Sequence, residues 1–137
     1  ENAVASGAGL SLFGKVIEAQ GGNIGVLDDP SILPTASEIT EVLAPRAGAV
    51  SHMDALGLGV AAMRLGAGRE TAEDVIDPAV GLELLVKPGD QVVENQPLVK
   101  IHHNSDAGEC LQEVLKHVEI SDSYTAPESI VIDVISA

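Results

Sequence analysis

Leu82-Glu83-Leu84-Leu85-Val86-Lys87-Pro88-Gly89-Asp90-Gln91-Val92-Val93-Glu94-Asn95-Gln96-Pro97-Leu98-Val99-Lys100-Ile101-His102 is the stretch whose reading decides the fold class. Leu82, Leu84 and Val86 recur at every second position and define one apolar strand face. Lys87-Pro88-Gly89-Asp90 suits a type II turn, because Pro presets φ at the second position and Gly supplies a positive φ at the third. Residues 91–93 are then a short strand. Glu94-Asn95 makes a second turn in which Asn takes the left-handed conformation, and residues 97–102 form the return strand. Short strands joined by tight turns predict a small antiparallel unit of barrel or sandwich type.

Upstream of this unit, Glu38-Ile39-Thr40-Glu41-Val42-Leu43 reads as a strand ended by Ala44-Pro45, and Gly48-Ala49-Val50-Ser51 as another. Asp54 is placed to cap a helix over residues 55–65 that stops at Gly66 or Gly68. Residues 69–78 are polar and predict a loop. Nearer the start, residues 6–20 predict a helix with Ser6 as N-cap and Leu10, Phe13, Val16 and Ile17 at helical spacing. Gly21-Gly22 stops it. Gly7, Gly9 and Gly14 weaken it as a free helix, so it is expected to depend on packing. Asp28-Asp29-Pro30 opens a short turn or helix that ends near Leu33-Pro34.

Downstream, residues 106–117 predict a helix with Leu111, Val114, Leu115 and Val118 on its apolar side. After a turn at residues 124–127, Ile130, Ile132 and Val134 alternate with Val131, Asp133 and Ile135 in a last strand. Both of its faces carry apolar residues, so it is expected to be buried. The resulting fold class is α+β, a small antiparallel barrel- or sandwich-like unit with flanking helices.

A chain of 137 residues with 45% hydrophobic content can build one domain and a small appendage. With no Trp, one Phe and one Tyr, the core must be aliphatic. Twenty-one acidic residues against seven basic ones give a net charge of −14. Lys15, Arg46, Arg64, Arg69, Lys87, Lys100 and Lys116 are scattered, and aromatic stacking faces are nearly absent, which excludes a nucleic-acid binder. The single Cys110 rules out an internal disulfide and suits a reducing compartment. No apolar run reaches membrane-spanning length, and residues 1–20 lack the pattern of a signal peptide. These features point to the cytoplasm and to no membrane partner.

Each candidate chemical constellation has a plainer reading. Leu65-Gly66-Ala67-Gly68-Arg69 resembles a phosphate loop, but its glycines follow a helix, whose negative end faces them. A helix stop is the better account, with Arg64 and Arg69 still able to meet an anion on another part of an enzyme. His102 and His103, with Asp106 and Glu109 nearby, suggest a metal site. Neighbouring strand residues point to opposite faces, however, so one buried and one exposed His is expected instead. Cys110 and His117 are separated by about 10 Å along a helix, beyond nucleophile–base reach. His52 beside Asp54 has no nucleophile in a recognisable elbow. The acidic groups Asp28-Asp29 and Glu70, Glu73 and Asp74 read as caps or solvated surface. No catalytic, cofactor-binding or metal-ligating residue is therefore assigned.

In order along the chain, Arg64-Leu65-Gly66-Ala67-Gly68-Arg69, Asp77-Pro78-Ala79-Val80-Gly81-Leu82 and Val86-Lys87-Pro88-Gly89-Asp90-Gln91-Val92 resemble the C-terminal part of the pyrimidine-nucleoside and thymidine phosphorylases. Earlier pieces fit the same order: Glu1-Asn2-Ala3-Val4-Ala5-Ser6-Gly7 with Phe13, Ile17-Glu18-Ala19-Gln20-Gly21-Gly22, Ala44-Pro45-Arg46-Ala47-Gly48 and Met53-Asp54. Two departures are local: a helix start about two residues shorter after Met53-Asp54, and Asn95 where Gly is common. The resemblance implies that the chain, which starts at Glu1 without an initiator Met, is the tail of a longer enzyme. Residues 1–34 would then end a large α/β domain and residues 35–137 form the C-terminal domain. It further implies phosphorolysis of pyrimidine nucleosides to free base and (deoxy)ribose 1-phosphate by a homodimer. Phosphate- and base-binding residues would lie in the missing N-terminal part, leaving this piece to support the cleft and to be inactive alone.

The rival class is a carrier module, since residues 81–101 also look like half of a biotinyl- or lipoyl-type domain. A carrier needs a modified Lys at a hairpin tip, whereas Lys87 belongs to the Pro-Gly turn and Lys100 to a strand.

Overall fold

A computed structural model describes residues 2–127, together with Asp133 and Ile135. The strand expected over residues 130–135 lies outside the described residues except at those two positions. The chain divides into two compact units, Glu1–Thr35 and Ala36–Ala137.

In the first unit, helix α1 (Asn2–Ala5) is followed by helix α2 (Ala8–Ala19). The continuous helix expected over residues 6–20 is broken at Gly7, whose φ of 72° is left-handed. Gly7 rather than Ser6 is the N-cap of α2, although Ser6 Oγ accepts from the Ala8 N–H at 3.4 Å. The Ser6 hydroxyl donates back to the Asn2 carbonyl (2.7 Å) and so closes α1. Gly21, at φ 77°, ends α2 as the sequence predicts. Two 3₁₀ turns follow, Ile24–Leu27 and Pro30–Ile32. Asp29 caps the second, accepting from the Ser31 N–H at 3.0 Å.

The second unit contains strand β1 (Glu38–Leu43), strand β2 (Gly48–Met53) and helix α3 (Ala55–Ala62). Strands β3 (Gly81–Leu84), β4 (Gln91–Val92) and β5 (Pro97–His103), helix α4 (Gly108–Lys116) and strand β6 (Val118–Ser121) complete it. The strands form two three-stranded antiparallel sheets, ordered β1-β5-β3 and β4-β2-β6. Val42, Val99 and Ile101 from the first sheet and Val50, Val92 and Val118 from the second share one aliphatic core with Leu58, Ala61 and Val114 of the helices.

The turns at residues 87–90 and 94–95 adopt the predicted conformations, with Gly89 at φ 99° and Asn95 at φ 64°. Their role differs from a simple meander. The Gly89 N–H donates to Val50 O (2.8 Å) and Asp90 O accepts from the Val50 N–H (2.9 Å), so the first turn carries the chain onto β2 and the second sheet. At Asn95 the N–H donates to Ala44 O (2.9 Å), returning the chain to the first sheet. Residues 91–93 and the strand after them therefore do not pair as a hairpin; β5 pairs with β1 and β3. Each turn bonds to a strand far away in sequence, which no local pattern encodes.

Further differences have local causes. β3 is an edge strand, so Leu84 is 52% exposed although Val86, just beyond the strand, is buried. α3 continues through a wide π turn, Met63–Ala67, before Gly66 (φ 118°) stops it within the expected range. α4 is shorter than predicted at both ends, and Val118 belongs to β6, a strand that helical spacing concealed.

Candidate functional site

The densest polar arrangement joins α3 to the end of α4. Asp54, the α3 N-cap, accepts from the Leu56 N–H through Oδ1 (3.1 Å), and its own N–H donates to the His117 carbonyl (2.9 Å). Asp54 Oδ2 lies 3.0 Å from His117 Nδ1, and Glu113 Oε2 lies 3.9 Å from His117 Nε2. The ring rests against the backbone of Gly57, where a Cβ would come 2.5 Å from His117 Cγ and closer still to two other ring atoms. The Gly57 N–H bond to the carboxylate, seconded by Leu56 and His117, holds Asp54 below the ordinary carboxylate range. The sequence sets His52 beside Asp54 and weighs His117 only against Cys110, whereas the fold brings His117 to Asp54; His52 is exposed on β2. A glycine inside a helix, at Gly57, is the signal that could have revealed the close approach.

The adjacent histidines of β5 divide as expected. His103 is 4% exposed. Its Nδ1 donates to the Ser105 carbonyl (2.5 Å), and its Nε2 shares a hydrogen bond with the Thr40 hydroxyl (2.8 Å). This is a hydroxyl–imidazole–carbonyl line of the kind that activates a nucleophile. The neighbouring Gly108 N–H, however, is taken by Asp106 Oδ1 (2.9 Å), and the line serves as a tie between β1, β5 and the loop to α4. His102 points the other way, 3.2 Å from Glu83 Oε2, with Lys100 Nζ 3.7 Å from the same oxygen. The hydrogen bond to His102, with help from Lys100, lowers the Glu83 pKa. His102 and His103 share no ligand position.

The remaining candidates are engaged locally. Arg64 Nε meets Glu70 Oε1 at 3.2 Å. Asp74 accepts from the Glu70 and Thr71 N–H groups, both at 2.9 Å. Asp77 accepts from the Ala79 N–H and from Asn104 Nδ2 (2.8 Å), while Asn104 Oδ1 accepts from the Ser37 N–H (2.8 Å); together they link the 66–80 loop to one end of the first sheet, where β1 begins and β5 ends. Cys110 is buried with its Sγ 3.8 Å from Ala61 O, and burial pushes its thiol up. His117 is engaged with Asp54 at the far end of α4. An open groove of about 630 Å³ runs between the π turn and α4 past Arg64, Glu109 and Glu113. Lys87 precedes the Pro-Gly turn, and its N–H donates to Asp90 Oδ2 (2.9 Å). Among the described residues no group of three His, Cys, Asp or Glu could hold a metal ion, and no helix is long and apolar enough to cross a membrane.

Residues 49–121, from β2 to the end of β6, match the sequence family described as the pyrimidine nucleoside phosphorylase C-terminal domain. The chain belongs to this family. Similar proteins include a pyrimidine-nucleoside phosphorylase from Geobacillus stearothermophilus, 41% identical over 99% of this chain and 32% of its own length. Those of Bacillus subtilis (41% identical, 95% of this chain, 30% of the relative) and Staphylococcus haemolyticus (40%, 91% and 29%) are comparable. The chain thus spans 29–32% of the length of these relatives. Family membership accounts for the ordered motifs, whose side chains are here helix stops, turns and caps.

Proposed function

We propose that this chain is the C-terminal module of a cytoplasmic pyrimidine-nucleoside phosphorylase and supports the reaction cleft without supplying reacting groups. In the complete enzyme, phosphate attacks C1′ of a pyrimidine nucleoside, the bond from C1′ to the base breaks, and free base and (deoxy)ribose 1-phosphate result. The observation that carries this reading is the alignment of 91–99% of the chain, at 40–41% identity, with proteins bearing that name. On this reading residues 1–34 finish the large α/β domain and residues 35–137 form the C-terminal domain. The preceding part of the polypeptide binds phosphate and base and makes the homodimer contact. The supporting role agrees with the geometry: Asp54, Asp74, Asp77 and Asp106 are occupied with backbone N–H groups of their own chain.

The test is phosphate-dependent release of base from thymidine and uridine, measured on the full-length product and on these 137 residues in parallel. Release by the full-length protein alone is the expected result. Release by the 137 residues would place a catalytic site among them and overturn the supporting role. No release from either would overturn the phosphorylase reading and favour a binding module of biotinyl- or lipoyl-type fold.

A further inference from the structure

We draw no further inference here: the strongest candidate, the open groove between the π turn Met63–Ala67 and α4, rests on a cluster of carboxylates (Asp106, Glu109 and Glu113), and among the described residues no buried side-chain polar atom is left unpartnered to point to a ligand there.

Discussion

Replacing Gly57 by Ala sets two effects of opposite sign against each other in one helix. In an exposed helix interior, Gly→Ala stabilises by about 0.8–1.0 kcal/mol, because Gly loses more backbone freedom on folding. Gly59, one of the exposed positions of α3, meets that description, since nothing lies within 4 Å of a Cβ built there. At Gly57 the new methyl would overlap the His117 ring, whose Cγ would be 2.5 Å away. The ring must leave its place beside Asp54 or α3 must shift from α4, and overpacking of this kind costs about 1–3 kcal/mol. The expected net effect of Gly57→Ala is a loss of about 1 kcal/mol, against a gain of nearly that size for Gly59→Ala. With His117→Ala as background the obstruction is gone, and Gly57→Ala should stabilise. The coupling between the two positions is then about 2 kcal/mol. Urea unfolding of the four combinations, followed by circular dichroism at constant m-value, measures all of these terms. If Gly57→Ala raises the midpoint as much as Gly59→Ala does, with or without His117, the close packing of the ring on α3 is refuted.

Three further outcomes are expected. Ile101→Ala empties a fully buried position at the centre of the first sheet and should cost about 2–5 kcal/mol, whereas Leu84→Ala on the exposed edge strand should cost less than about 1 kcal/mol in the same unfolding assay. The carboxyls of Asp54, Asp77, Glu83 and Glu113 are held below their ordinary values, so the unfolded chain binds more protons than the folded one as pH falls towards about 4 and below. Their stabilisation is present above that range and lost on acidification; a melting temperature that is flat from pH 6 to pH 2 would contradict it, and Asp54→Asn should make the acid slope shallower. Cys110 should react with a thiol reagent far more slowly in the native protein than in urea, because burial raises its pKa and blocks access; equal rates would contradict its placement beneath α3.

Local chemistry is legible wherever a short segment carries its own cause. Glu38–Leu43 ends before Ala44-Pro45, Asp54 precedes a helix it can cap, and Pro88-Gly89 presets the angles of its turn. The division of His102 from His103 follows from the pleat alone. Legibility failed where two residues distant in sequence compete for a local signal. Val118 lies one step beyond the apolar stripe of α4 and was read into the helix, yet it pairs with Met53 in β6. Ser6 has the chemistry of an N-cap for α2, but the left-handed Gly7 takes that position, and the Ser6 hydroxyl both donates to the Asn2 carbonyl and accepts from the Ala8 N–H. At the polar cluster, Asp54 was visible as a cap while its partner His117 was not, since the two meet only when α4 folds back beside α3.

The sequence by itself determined the α+β class, most element positions, the aliphatic character of the core and, through the order of its motifs, the family. These properties depend on side-chain periodicity, turn chemistry and composition, all of which act over a few residues. Only the tertiary structure decided that β4 leaves its neighbours for the second sheet, that Thr40 and Ser105 hold His103, and that Asn104 ties three loops together. Those arrangements are hydrogen bonds between groups often more than 60 residues apart. Their partners are selected by which backbone and side-chain groups burial of the shared core leaves facing one another, and that selection exists only once the two sheets have closed around it.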